Sequence, residues 1–236
     1  TDFSGKAELL GRLGVRELFV LPFDRALMQL PAEDFVRRML VDRLGVSALA
    51  AGENFRFGHR RQGDIAMLAD LAAGLGFAFR SVAPVLDGGP VSSSRIRGLL
   101  ADGDVAAAAA LLGQPHVVDG IVREGDKRGR LLGFPTANVH PLDARLVLPA
   151  TGVYAVQAAR GRGPGVSWRP GVANLGRMPT FDGRTLLLEV HLLDGGGDLY
   201  CERLRVAFVE RLRDERKFAS IEELKQKLSA GPSPEE

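Results

Sequence analysis

The sequence predicts an α/β domain built on a parallel sheet, followed by a small antiparallel β-barrel and a C-terminal helix. In the first half, short apolar runs alternate with amphipathic helical patterns, as in βαβ units. After Gly113 to His116, short β-rich runs follow one another with turn signals and no helices between them, which is typical of a small barrel. The predicted domains are therefore residues 1–114 and residues 115–236.

The first domain opens with a helical pattern, followed by the apolar run ELFVLPF (17–23), which predicts a buried strand. The segment 31–45 begins with proline and acidic residues, ends at glycine and keeps its large apolar residues on one face, so it predicts an amphipathic helix. The runs SALAAG (47–52) and FAFRSVAPV (77–85) predict two more strands.

Helices are predicted around and after these strands. The segment 64–76 has Asp64 as a candidate N-cap and Gly74 or Gly76 near its end. SSSRIRGLLADGD (92–104) and the alanine-rich run 105–113 predict two short helices, because alanine is the strongest helix former.

The second domain is predicted to contain five strands and a closing helix. The capping box of Ser220 and Glu223 predicts the start of that helix, and the tail 230–236 is expected to be disordered. The predicted strands are 117–124, 152–160, 167–176, 185–193 and 202–212.

The composition excludes several classes of function. The chain has 236 residues and a formal net charge of only +2, whereas proteins that bind nucleic acid normally carry clustered positive charge. No apolar run approaches the roughly 20 residues of a membrane span, and the first residues lack the order of a signal peptide. The single cysteine, Cys201, excludes an internal disulfide and a cysteine-rich zinc site. We expect a cytoplasmic protein without nucleic-acid or membrane partners.

The segment LLGFPTANVH (131–140) carries a hydroxyl and a carboxamide two residues apart, directly behind proline. If the segment is extended, Thr136 and Asn138 point to the same face, and two neutral oxygens suit a Mg²⁺ ion that already carries phosphates and waters. The alternative is an ordinary turn, in which proline, threonine and asparagine are common. The segment alone favours the turn.

A basic, glycine-containing stretch precedes this segment. Gly125 and Gly129 allow tight turns, and Lys127 and Arg130 supply positive charge. The stretch is no Walker A loop, which needs another spacing, but its backbone amides could wrap nucleotide phosphates. A basic flap beside a pair of metal ligands is a more specific signal than either part alone.

Two segments of the first domain could also bind a nucleotide. Asn54 follows a predicted strand, where ligands bind in doubly wound sheets, although an ordinary glycine-rich loop is equally compatible. Ser93, Ser94 and Arg97 lie at the start of a helix, where free amides bind phosphate; capping by serine is the simpler interpretation.

Two residues of the predicted barrel are further candidates. Glu189 lies mid-strand, and on a period of two it shares a face with Leu187 and His191. A carboxylate there could act as a general base, although a half-buried strand showing it to water fits the pattern better. Arg213 belongs to a charged run that is compatible with a solvated surface or with ligand contact.

Several segments together resemble the bacterial bifunctional riboflavin kinase/FMN adenylyltransferase family, also called FAD synthetase. In the second half they are GDKRGRLLGFPTAN, TGVYAV, GVANLG, MPTF, LEVHLLD, GDLY and VAFVERLRDERKF. In the first half they are LFVLPFD, GENFRFG and VSSSRIR. The resemblance covers nearly the whole chain and implies a partial Rossmann-like nucleotidyltransferase domain followed by a riboflavin kinase barrel.

The resemblance implies that the chain phosphorylates riboflavin to FMN with ATP and Mg²⁺, and that the full-length family also adenylylates FMN to FAD. Thr136 and Asn138 resemble the ligands of Mg²⁺, and Glu189 resembles the base that accepts the proton of the ribityl 5′-hydroxyl. Arg213 lies in the loop that closes over the flavin. The residues matching nucleotide-binding positions are Gly125, Lys127, Gly129 and Arg130 in the kinase, and Asn54, Ser93, Ser94 and Arg97 in the adenylyltransferase.

The sequence departs from the family pattern in two places. The family's adenylyltransferase carries an H-x-G-H motif near its N-terminus that stabilises the ATP phosphates, and no such motif occurs in these 236 residues. This is expected of a fragment or of a protein that has lost the second activity, so we expect FAD formation by this chain to be absent or very weak. Cys201 also stands where the family pattern has glycine.

Two other functions are compatible with the sequence. The chain could be a nucleotidyltransferase for another substrate with a regulatory barrel. It could also be a flavin- or RNA-binding module without catalysis, since small barrels bind RNA. One Trp and two Tyr make aromatic stacking platforms for RNA scarce.

Overall fold

The computed structural model describes residues 2–124, 136–163, 165–177, 186–194 and 197–214. Contacts divide the chain into two compact units, one of Arg16–Val91 and one of Thr1–Val15 with Ser92–Glu236. The domain boundary predicted between residues 114 and 115 stays a prediction.

The described residues form helices and strands in both units. The helices are α1 (Phe3–Arg12), α2 (Arg25–Gln29), α3 (Ala32–Asp34), a π-helix (Phe35–Arg43), a 3₁₀ turn (His59–Arg61), α4 (Ile65–Leu75), α5 (Ser93–Asp102) and α6 (Val105–Leu112). The strands are β1 (Ala48–Gly52), β2 (Ala78–Val82), β3 (His116–Arg123), β4 (Ala137–Pro141), β5 (Gly152–Arg160), β6 (Arg169–Arg177), β7 (Leu186–Leu192) and β8 (Arg203–Arg213).

In the unit of residues 16–91, β1 and β2 pair in parallel and α4 connects them. The carboxylate of Asp64 accepts a hydrogen bond from the Met67 amide at 3.0 Å, and the helix ends at Gly76 with φ +79°. Asp64 is therefore an N-cap and Gly76 a left-handed C-terminal glycine, which confirms both predicted ends of this helix. The π-helix lies where one amphipathic helix was predicted, and it buries Val36 against the apolar side of α4.

The prediction of a buried strand at 17–23 is wrong. These residues form neither helix nor strand, and Phe19, Val20 and Phe23 are 60%, 63% and 80% exposed. A parallel strand is buried only where neighbouring strands and helices cover it. In the described part of this unit, β1 and β2 pair only with each other, so this apolar run has no strand to join.

The second unit contains a closed barrel of six strands in the order β3-β4-β7-β6-β5-β8, and every pairing is antiparallel. The parallel sheet followed by an antiparallel barrel confirms the predicted fold class. The burial of β7 follows a period of two: Leu188, Val190 and Leu192 are buried, whereas Glu189 and His191 are half-buried. The barrel interior is therefore apolar and the alternate positions lie on its outer surface.

The segment for which the residues alone favoured a turn is extended. Residues 137–141 form β4 between β3 and β7, with Ala137 and Val139 buried in the barrel core. The turn interpretation is wrong here, because β4 completes hydrogen-bonded ladders on both sides.

Helices α5 and α6 confirm the two helices predicted before the barrel. Ser92 caps α5 by accepting a hydrogen bond from the Arg95 amide at 3.3 Å. Leu100 and Val105 belong to the same buried cluster as the barrel interior, so both helices pack on the barrel.

The predicted C-terminal helix with its capping box and the tail 230–236 lie outside the described residues. Within the part of the chain that the structure describes, every helix is too short or too polar to cross a membrane.

Candidate active site

Three polar residues from three neighbouring strands form one row on the barrel. Strand β7 lies between β4 and β6, and Glu189 is directly opposite Asn138 on one side and Asn174 on the other. Directly opposed residues in antiparallel strands point to the same face, with Cβ atoms about 4.5–5.5 Å apart. A carboxylate is thus flanked by two carboxamides, and we call Asn138, Glu189 and Asn174 the polar row.

The polar row lies on the outer face of the barrel, because its neighbours along each strand point inward. Residues 137, 139, 188 and 190 are buried, whereas Asn138 and Glu189 are half-buried. The backbone ladders continue the row to both sides. Arg123 is opposite Asn138, Val153 is opposite Asn174, and Arg213 is opposite Val153. Arginine residues thus lie at both ends of the line of paired residues that contains the polar row.

Glu189 has one hydrogen bond in the described structure. The side-chain amide of Asn174 donates to its Oε2 atom at 3.4 Å. Hydrogen bonds of catalytic groups are often long before substrate binds and tighten in the complex. The second carboxylate oxygen, Oε1, has no partner among the described residues and is therefore available to accept a proton.

The Oδ1 atom of Asn138 is buried and has no hydrogen-bond partner among the described residues. A buried acceptor without a partner costs free energy, so in a native structure it calls for an explanation, such as strain, a catalytic role, or a bound water or ion. Thr136 precedes β4 and is exposed, two positions before Asn138. Neutral oxygens of this kind fit Mg²⁺, which takes oxygen ligands and keeps phosphates and waters as its other partners.

Two basic side chains lie on either side of the polar row: Arg123 is directly opposite Asn138, and Arg213 is separated from Asn174 by Val153. Arg213 is exposed at the end of β8, where its guanidinium donates to the backbone carbonyl of Asp214 at 3.3 Å. Arg123 is exposed at the end of β3. The predicted phosphate-binding residues Gly125, Lys127, Gly129 and Arg130 lie outside the described residues.

The predicted adenylyl-binding residues belong to two different units. Asn54 is exposed in the turn after β1, in the unit of residues 16–91. Ser93, Ser94 and Arg97 occupy the first two turns of α5 in the other unit, where the Arg97 guanidinium donates to the Ser94 hydroxyl at 3.4 Å. Their role in binding a nucleotide stays a prediction.

A cavity of about 340 Å³ lies near the start of α6 and away from the polar row. We do not assign a substrate to it. Arg211, its one basic lining residue, is already engaged by the carbonyl of Thr151 at 2.8 Å and by the carboxylate of Asp214 at 2.9 Å. The lining residues are Asp102, Gly103, Asp104, Val105, Ala106, Glu210 and Arg211.

Sequence reasoning did not select Asn174 or Arg123 as candidate site residues. Asn174 lies in the segment GVANLG, which carries part of the family resemblance. A period of two along β6 could have placed it on the outer face, because Ala173 and Leu175 on either side of it are buried. No sequence signal, however, indicates which strand lies beside β6.

Comparison with known proteins identifies what both halves of the chain resemble. A family model described as riboflavin kinase matches residues 112–231, and one described as FAD synthetase matches residues 1–95. Bifunctional riboflavin kinase/FMN adenylyltransferases are similar over nearly the whole chain. The Escherichia coli K12 protein is 42% identical over 97% of this chain and 72% of its own length. The Pseudomonas fluorescens protein is 46% identical over 95% of this chain and 71% of its own length.

A solved structure shares the fold of the whole chain. A crystal structure described as a macrolide-efflux protein from Streptococcus pneumoniae has a TM-score of 0.86 and 33% identity, covering 97% of this chain and 72% of that chain. The word efflux in that description refers to the Streptococcus pneumoniae protein alone. The two family models and the curated relatives agree with each other over both halves of this chain.

Proposed function

The chain belongs to the family of bifunctional riboflavin kinase/FMN adenylyltransferases, and we propose that its polar row is the catalytic centre of the riboflavin kinase. In this proposal the γ-phosphoryl group of ATP passes to the 5′-hydroxyl of the ribityl chain of riboflavin. The observation that supports it is the direct pairing of Asn138 with Glu189, which places a candidate metal ligand beside a candidate base.

Glu189 is the base in this proposal. Its free Oε1 atom accepts the proton of the 5′-hydroxyl as that oxygen bonds to the γ-phosphorus. The bond from the γ-phosphorus to the bridging oxygen breaks, and ADP leaves with that oxygen. Phosphoryl transfer passes through a loose transition state, so the enzyme acts chiefly by holding the two oxygens in line and by stabilising charge.

Asn138 and Thr136 hold the Mg²⁺ that accompanies ATP. The buried Oδ1 atom of Asn138 supports this assignment, because it has no hydrogen-bond partner among the described residues and a metal ion would supply one. A Mg²⁺ ion held there would supply positive charge to neutralise the phosphates. Because Asn138 and Glu189 are adjacent across the sheet, the phosphate and the hydroxyl are held next to each other.

The other predicted residues extend this site. We infer that Arg213 contacts the flavin, and that Gly125, Lys127, Gly129 and Arg130 contact the ATP phosphates. Asn54, Ser93, Ser94 and Arg97 are proposed to bind the nucleotide of the adenylyltransferase domain. The expected cytoplasmic location and the absence of a nucleic-acid partner also stay predictions.

The test is a flavin assay with matched variants. The wild-type chain is incubated with riboflavin, ATP and Mg²⁺, and the flavins are separated by chromatography. Removal of a general base typically lowers the rate by about 10²–10⁴-fold, so we expect Glu189→Gln to reduce FMN formation by at least about 100-fold. Gln157→Ala, which truncates an exposed carboxamide on β5 of the same barrel, is the control and should match the wild type.

Each outcome has a distinct meaning. FMN formation that depends on Glu189 supports the proposal. FMN formation that survives Glu189→Gln would refute the assigned base. Tight riboflavin binding without any FMN from the wild-type chain would favour a flavin-binding module and refute the kinase.

A further inference from the structure

Asn174 is the member of the polar row to which sequence reasoning gave no role. It lies on β6 directly opposite Glu189, and its side-chain amide donates to Oε2 of Glu189 at 3.4 Å. Ala173 and Leu175 on either side of it are buried in the barrel core. Since β6 is held between β5 and β7, the backbone beneath Asn174 is fixed on both sides.

We propose that Asn174 is a positioning residue of the phosphoryl transfer, whose side-chain amide holds one carboxylate oxygen of Glu189 so that the other meets the substrate hydroxyl. This inference rests on the proposed role of Glu189 as the base. A glutamate side chain has three rotatable bonds and can adopt several orientations, whereas proton transfer requires one that brings Oε1 to the reacting hydroxyl. The hydrogen bond from Asn174 selects among those orientations before substrate arrives.

The two carboxamides of the polar row have different contacts. The amide of Asn174 binds the carboxylate, whereas the Oδ1 atom of Asn138 is buried without a partner among the described residues. One carboxamide therefore orients the base, and the other presents a free oxygen to the metal. An aspartate in place of Asn174 would have the same shape but would offer Glu189 no donor and a like charge.

Two substitutions separate this role from a packing role. Loss of a hydrogen bond to a charged group corresponds to roughly 10–100-fold in rate. We expect Asn174→Ala to lower kcat by about tenfold and to leave the KM values for ATP and riboflavin within about twofold. Asn174→Asp should lower kcat further, although it preserves the size of the side chain. If Asn174 were needed only for packing, Asn174→Asp would lower kcat less than Asn174→Ala, because aspartate preserves the size of the side chain.

A double-mutant cycle with Glu189→Gln tests whether Asn174 acts through Glu189. If it does, Asn174→Ala and Asn174→Asp produce no further loss in the Glu189→Gln background, where no carboxylate remains to be oriented. Equal losses in both backgrounds would overturn the inference. Unfolding monitored by the fluorescence of Trp168, the single tryptophan of the chain, verifies that each variant is folded.

The results also separate this inference from the proposed function. If the wild type forms FMN and Asn174→Ala matches the Gln157→Ala control, the inference fails and the kinase assignment stands. If the wild type forms no FMN, or Glu189→Gln is fully active, the proposed catalytic centre fails and the inference fails with it.

Discussion

Replacing Asn138 by leucine should move stability and activity in opposite directions. In the ligand-free protein the buried Oδ1 atom of Asn138 has no partner among the described residues, and an unsatisfied buried acceptor costs about 1–3 kcal/mol. Leucine has a similar shape and carries no polar atom that would be left without a partner. Because the residue is only half-buried, we expect a gain of about 1 kcal/mol in the free energy of unfolding.

The same substitution removes the proposed oxygen ligand of Mg²⁺. A bound metal stabilises charge in a transition state by several kcal/mol, so we expect FMN formation to fall by at least about 100-fold. Excess Mg²⁺ should restore little of the activity, because the missing ligand is part of the protein.

Urea unfolding of the ligand-free protein measures the first effect, and the flavin assay measures the second. The chain has one tryptophan, and Trp168 lies in the unit that contains the barrel, so its fluorescence reports unfolding of that unit. Gln157→Leu makes the matched change at an exposed position of β5 and should leave stability within about 0.5 kcal/mol. A loss of stability in Asn138→Leu, or kinase activity close to the wild type, would refute the reasoning.

Three further results are expected. This chain should convert riboflavin to FMN and form little or no FAD, because no H-x-G-H motif occurs in these 236 residues. Robust FAD formation detected by chromatography would contradict this. Cys201→Gly should raise the free energy of unfolding by about 0.5–1 kcal/mol. Cys201 adopts φ +61°, where a side chain costs about 1–2 kcal/mol and glycine is free of that strain. An unchanged urea midpoint would contradict this expectation. Burial lowers the pKa of the His116 side chain in the folded protein below its ordinary value of about 6.5. The contribution of His116 to stability is therefore complete above pH 6.5, and it is lost as the pH falls through the lower pKa of the folded state. The free energy of unfolding should therefore drop between pH 7.5 and pH 5.5, and His116→Asn should remove part of that drop; identical pH profiles would exclude this cause.

Local patterns were sufficient for much of the fold. The ends of α4 follow from Asp64 and Gly76, since capping depends only on residues within one turn. The burial of β7 follows from its period of two, because successive side chains of a strand alternate between faces wherever that strand lies. The change from alternating helices and strands to consecutive short strands is likewise a local pattern, and it was sufficient to predict the barrel.

Local patterns failed where a segment depends on neighbours that its own residues do not specify. Residues 17–23 are as apolar as a buried strand, yet they are exposed because no described strand pairs with them. The segment of Thr136 and Asn138 taken alone favoured a turn, and only its ladders with β3 and β7 make residues 137–141 a strand.

Residue types and family resemblance selected Thr136, Asn138 and Glu189 as candidates for the chemistry, and the period of two placed Glu189 on one face of its strand with Leu187 and His191. The folded barrel adds what those patterns lack: β7 lies between β4 and β6, in a register that places Glu189 opposite both Asn138 and Asn174. Strand order and register come from hydrogen bonds and packing between segments far apart in the chain, and a slip of one residue would turn the carboxylate into the core. That long-range pairing, which no local pattern encodes, is what makes three separate polar residues into one site.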